Sequence, residues 1–236
     1  MPIPTKSFGQ EKEGKNSYEI DIDDLAEGIP YKLDYLMLDA CLMGGVEVAY
    51  ALQDKASKIA FSAAEILSTG FDYETLISTM LKDDAKLEDV CEAYFDLYNS
   101  KSGDSRSATI ACVDCSKLDD LTDICTELFE KYRDSINKLK YTEVQGFYRW
   151  NWIWYFDLED ILVQAGITDE ECDRLEAALN ECVTYKAATP SFLLGDGGVY
   201  INTYCGLSMY LPSIGNMELE EFYKELSWNK ATSLIK

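Results

Sequence analysis

Apolar positions fall into two patterns along the chain: short continuous runs and stripes at helical spacing. Tyr35-Leu36-Met37-Leu38 and Ile59-Ala60-Phe61-Ser62-Ala63 are runs of the kind found in strands buried on both faces. Between them, Leu42 to Gln53 reads as a helix, so the segment forms a strand, helix, strand unit and predicts a parallel pair. Ahead of this unit, Ile20 to Ala26 predicts a short amphipathic helix, ended by Gly28-Ile29-Pro30. Everything up to Lys15 lacks periodicity and reads as a loop or chain end.

The alternation continues downstream. Leu87, Val90, Cys91, Tyr94, Phe95 and Tyr98 lie on one helical face, and Ala108-Thr109-Ile110-Ala111-Cys112-Val113 reads as a third strand. Ser116 with Asp119 resembles a capping box ahead of Leu121, Ile124, Cys125, Leu128, Phe129 and Tyr132. Thr168 with Glu171 does the same ahead of Cys172, Leu175, Leu179, Cys182 and Val183. Residues 199–204 and 207–211 are β-like, and Gly195-Asp196-Gly197-Gly198 before them is a turn signal; without a following helix it makes no dinucleotide site. The sum is an α/β fold with a mostly parallel central sheet, in a chain long enough for one large domain or two small ones.

Composition narrows the function. The chain has 47% hydrophobic residues, enough for a sizeable core, and no apolar run approaches the roughly 18 residues of a membrane span. Its start has no secretory leader pattern. A net charge of -22 repels nucleic acid and anionic lipid and attracts cationic ligands such as basic peptides, so no nucleic-acid or membrane partner is expected. The aromatic block Phe147 to Phe156 lacks the interleaved Lys and Arg of a base-stacking surface and reads as packing. Most of the eight cysteines sit within apolar patterns and are expected as free thiols. Cys112-Val113-Asp114-Cys115 alone is too little for a metal site, and no metal or cofactor is expected.

Cys41 stands apart from the other seven. It lies where a parallel strand ends and a helix begins, the edge of an α/β sheet at which ligand and catalytic sites collect. A helix N-terminus there would favour thiolate over thiol and hold an oxyanion. Gly44-Gly45 would let the first helical turn pack closely. Strand alternation puts Asp39 on the same side as Cys41, either as a cap for the next helix or as a carboxylate for a cationic side chain.

Leu38-Asp39-Ala40-Cys41-Leu42-Met43-Gly44, with Val46-Glu47-Val48-Ala49-Tyr50, resembles the nucleophile motif of the clostripain family of cysteine peptidases. Phe61 to Leu67 with Gly70-Phe71-Asp72-Tyr73, Val113 with Ser116-Lys117-Leu118, Gly206 to Pro212, and Ser227 to Ala231 are similar to later landmarks of that family. The resemblance implies a single caspase-like peptidase domain over residues 1–236, the C-terminal, cysteine-bearing portion of an α/β/α sandwich incomplete at its N-terminal side, and cleavage after Arg or Lys. It implies that Cys41 is the nucleophile and that Asp39 lines the pocket for the basic P1 side chain. Glu65 and Ser62 are weaker candidates for that pocket, with structural roles as the alternative. The family's general base is a histidine in an upstream His-Gly motif, and this sequence has none. The expectation is therefore a histidine on an upstream segment or a separate light chain, and little activity from this chain alone. A secreted or periplasmic bacterial location is implied with it. The competing reading is a non-catalytic pseudo-peptidase that binds basic peptides.

Overall fold

The computed structural model describes residues 8–13, 16–150 and 154–236. The reading of residues 1–7, 14 and 15 as loop or chain end, and Asn151, Trp152 and Ile153 of the aromatic block, lie outside the described residues. In chain order the elements begin with β1 (Phe8–Glu13), β2 (Asn16–Ile20), α1 (Ile22–Gly28), β3 (Leu33–Met37), α2 (Val46–Leu52), β4 (Ala56–Phe61), α3 (Tyr73–Met80) and α4 (Leu87–Asn99). They continue with β5 (Thr109–Asp114), α5 (Leu118–Ile136), β6 (Tyr155–Asp157), α6 (Leu158–Gln164), α7 (Asp169–Cys182) and β7 (Val183–Ala188). The two-residue strands β8 (Ser191–Phe192) and β9 (Val199–Tyr200) precede β10 (Ser208–Tyr210), α8 (Met217–Glu225) and α9 (Ser227–Thr232).

The central sheet has the order β3-β4-β5-β7. Residue alternation along its inner strands sends side chains to two cores, as expected of a strand covered on both faces. Ile59 and Phe61 of β4 and Ala111 and Val113 of β5 join Val48, Leu52, Phe129, Leu175 and Trp228 on one face. Ala60, Ile110 and Cys112 face Leu87, Val90, Cys91, Tyr94 and Tyr98 of α4 on the other. Helices thus cover both sides, which is the α/β/α sandwich. Cys112 and Cys115 are buried on opposite faces of the sheet, which separates the thiols of that Cys-x-x-Cys pair.

The sheet is mixed, where the sequence predicted mostly parallel strands. β3 and β4 are parallel, whereas β5 runs antiparallel to both β4 and β7. The reason is the pair of helices between β4 and β5. One crossover helix carries the chain back to the starting end of the sheet; two helices return it to the end it left. Glu88 at the start of α4 pairs with Lys58 near the start of β4, and the Tyr98 hydroxyl at the far end of α4 donates to Gly70 O at 2.7 Å, just beyond the exit of β4.

Three other expectations need correction. Residues 8–13, expected as loop or chain end, form strand β1, which pairs antiparallel with β2. Ser116 does not open a capping box: its N–H and hydroxyl both donate to Asp114 Oδ1, at 2.9 and 2.7 Å, in a single turn before α5. The helix expected from Leu42 starts only at Val46, because the chain first doubles back. The Thr168–Glu171 capping box is present as expected. Among the described residues no helix is long and apolar enough to cross a membrane.

Candidate active site

Beyond Met37 the chain leaves β3 and reverses. Leu38 N–H still donates to Ala60 O at 2.9 Å; then Leu42 N–H donates to Ala64 O at 3.0 Å and Gly44 N–H to Ser62 O at 2.7 Å, so 42–44 runs back along 64–62. Leu42 takes a left-handed conformation, φ 60°, to make the reversal, at a cost of about 1–2 kcal/mol for a residue with a side chain. Gly44 is required by close approach: a Cβ there would lie 2.6 Å from Ser62 C and 2.8 Å from Ala63 Cα. Buried Met43 and Val46 anchor the returning chain.

Cys41 occupies the tip of this reversal, and of the eight thiols, all unpaired, it alone is exposed. It is not at a helix N-terminus, since α2 starts five residues later, so the expected helix-end stabilisation of a thiolate is absent. The Ile66 peptide takes that place. Its N–H lies 3.4 Å from Sγ and its carbonyl 3.6 Å, so the same residue can accept the thiol proton or donate to the thiolate. The thiol is nevertheless pushed up from its ordinary value, first by partial burial and then by the charges of Glu65 and Asp39. The Ile66 N–H and the Arg149 guanidinium oppose that rise.

Asp39 is exposed on the same loop. Its Oδ2 accepts from the Tyr73 hydroxyl at 2.7 Å and from Phe71 N–H at 3.5 Å, and it does not cap α2. The carboxylate beside it pushes the Tyr73 phenol up, because the hydrogen bond holds its proton. No Lys or Arg pairs with Asp39 among the described residues. Gly70, left-handed at φ 59°, leaves the space that this carboxylate fills.

Glu65 and Ser62 are placed differently. Arg149 Nε lies 2.8 Å from Glu65 Oε2, and Nη2 donates to Oε1 at 3.1 Å, while Nη1 reaches Asp196 Oδ2 at 2.6 Å. Ser62 is fully buried; its hydroxyl meets Thr109 Oγ1 at 2.7 Å and Ala64 O at 3.0 Å. Thr109 in turn accepts from Ala64 N–H at 2.9 Å, so both hydroxyls brace the backbone that carries Cys41's neighbours. The site therefore brings Asp39, Glu65 and Cys41 together and turns Ser62 inward. Sequence reasoning missed Arg149, Asp196, Tyr73 and the Ile66 peptide. The one available signal was that Arg149 is the sole basic residue of the aromatic block.

A family model described as the clostripain family matches residues 3–233. The chain belongs to the clostripain family. A clostripain from Bacteroides thetaiotaomicron, solved with the peptide inhibitor BTN-VLTK-AOMK, is 27% identical with a TM-score of 0.82, covering 95% of this chain and 99% of that one. An inactive zymogen C11 protease from Parabacteroides distasonis is 30% identical with a TM-score of 0.81, covering 90% of this chain and 62% of that one. A secreted C11 cysteine protease from B. thetaiotaomicron is 28% identical with a TM-score of 0.80, over 91% of this chain and 61% of that one. The chain thus spans nearly all of the first structure and under two thirds of the other two. No curated protein sequence matches it. Members of this family are cysteine peptidases, and the fold is theirs.

Proposed function

We propose that this chain carries the nucleophile and the P1 pocket of an endopeptidase that cleaves after Arg or Lys. The observation that carries the reading is the nearness of the one exposed thiol, Cys41, to Asp39, a carboxylate on the same loop that no Lys or Arg among the described residues pairs with. An ammonium or guanidinium in the substrate would satisfy Asp39 by a charge-assisted hydrogen bond. The Bacteroides relative's inhibitor, whose peptide portion VLTK ends in lysine, supports a basic P1 residue. Ser62 and Glu65 act from behind: one braces the 62–64 backbone, and the other is engaged by Arg149.

In this reading Sγ attacks the scissile carbonyl and the oxyanion takes the Cys41 N–H, since those of Leu42 and Gly44 are already used. The thiol is pushed up rather than down, so a base must remove its proton and an acid must protonate the leaving amine. With no histidine in the 236 residues, that group comes from outside them, on an upstream segment or a light chain. The secreted relative supports export from the cell.

The raised thiol and the missing histidine also fit a second reading, a pseudo-peptidase that binds basic peptides without turnover. Hydrolysis of Arg and Lys reporters, by this chain alone and by the product of its full open reading frame, separates the two. Cleavage by the latter that vanishes in Cys41→Ala supports the peptidase. Binding of the same peptides with no cleavage in either form establishes the binder instead.

A further inference from the structure

Two sequence features that the peptidase reading leaves unused, the aromatic block and the glycine turn, meet beside Cys41. Arg149 comes from the first and Asp196 from the second, and they are joined at 2.6 Å. The junction is built with some care. Trp150 N–H donates to Gly197 O at 2.8 Å, Trp150 is held left-handed at φ 58°, and a side chain at Gly197 would occupy the place of the Trp150 indole. A strained aromatic next to a three-way ion pair asks for a reason beyond surface charge.

The reason lies in what Glu65 adjoins. Arg149 grips Glu65 through two nitrogens, and the next residue, Ile66, is the one whose N–H and carbonyl both face Sγ. The charged and titratable groups acting on the thiol come from three segments: Asp39 on its own loop, Glu65 at the exit of β4, and Arg149 on the loop before β6. Tyr94 of α4 lies close enough to feel the thiol in turn. Of these, Arg149 alone is a cation. Left bare, Glu65 would set a second negative charge beside a developing thiolate.

We propose that Arg149 is a positioning residue that acts on Cys41 through Glu65: anchored by Asp196, its guanidinium offsets the charge that this carboxylate sets beside Sγ. The proposal rests on Cys41 being the nucleophile, but it is tested on the thiol itself and not on peptide cleavage.

The test is the rate of alkylation of Cys41 by iodoacetamide from pH 6 to 10, read by mass spectrometry of the Cys41 peptide, with Cys41→Ala as background. Charge offset predicts opposite signs. Near neutral pH, Arg149→Gln slows alkylation about two- to threefold, because the thiolate fraction falls, and Glu65→Gln speeds it by a similar factor. The double variant returns close to the parent, and Arg149→Lys, which keeps the charge, stays nearer the parent than Arg149→Gln does. A mere tether would move both single variants in the same direction, and that result overturns the proposal, as does no change in either. Should Arg149→Gln fail to fold by circular dichroism, Glu65→Gln decides alone: faster supports, slower or unchanged overturns. Absence of reporter hydrolysis would leave this outcome standing, and an unresponsive thiol would leave the peptidase reading standing.

Discussion

Replacing Gly44 by alanine should damage the site more than any single change to an exposed charge. The new methyl would lie against Ala63 N, 2.6 Å from Ser62 C and 2.8 Å from Ala63 Cα, all backbone atoms that cannot swing aside as a side-chain tip would. Relief requires the two segments to part, which stretches the Gly44–Ser62 and Leu42–Ala64 hydrogen bonds of 2.7 and 3.0 Å. Overpacking costs about 1–3 kcal/mol and each of the two lost bonds about 1 kcal/mol, so the total is about 3–5 kcal/mol. At about 2–4 °C per kcal/mol for a chain of this size, Tm should fall by about 6–20 °C. Urea unfolding followed by circular dichroism measures the stability, and alkylation of Cys41 reports the site, since parting the segments also shifts Sγ from the Ile66 peptide. Gly28→Ala, at the exposed end of α1 with nothing near its Cβ position, should stay within about 0.5 kcal/mol of the parent. If Gly44→Ala unfolds within about 0.5 kcal/mol of the parent and alkylates at the parent rate, the close approach is not what holds Cys41 in place.

Two further expectations follow from single groups. In the product of the full open reading frame, Asp39→Asn should lower kcat/KM for Lys and Arg reporters by about 10- to 100-fold, the worth of one charge-assisted hydrogen bond, while Cys41 alkylation becomes no slower than in the parent, since one of the charges that raise the thiol is removed; an equal loss of both would contradict a substrate-binding role. Asp157, fully buried at the start of α6, accepts from Cys205 N–H at 2.7 Å and Asp160 N–H at 3.1 Å, yet burial pushes it up to about 6. Its folded form holds a proton that the unfolded chain releases near pH 4, so this group's contribution is full below about pH 4 and is lost as pH rises towards 6. The difference amounts to about 3 kcal/mol, and comparing urea midpoints of the parent and Asp157→Asn between pH 4 and 6.5 should show the parent losing ground over that window. A flat difference would remove Asp157 as its source.

Periodicity carried much of the fold. The stripe from Leu87 to Tyr98 is α4, the run around Ile59 to Phe61 is β4, and Ala108 to Val113 is β5 within a residue, because burial on one face or two writes itself into spacing. Cys41 was marked out in the same way, by standing where the apolar run 35–38 gives out, although that run is not the doubly buried strand it suggests: β3 lies at the sheet edge and is exposed or half-buried throughout. That Cys41 is the exposed thiol follows from the loop it sits on. Spacing says which face is buried but not which way a strand runs, so the antiparallel course of β5 emerged only from the paired helices α3 and α4 before it. The pattern at 42–45 resembled a helix, and only hydrogen bonds to 62–64 made it a reversal, with Gly44 as the contact that permits it. Arg149 and Glu65 are 84 residues apart, and Ser62 and Thr109 are 47 apart, separations at which local pattern carries no information. Local chemistry thus chose the elements and the nucleophile's address. Packing of distant segments chose the neighbours, and with them the charge and hydrogen bonds that the thiol feels.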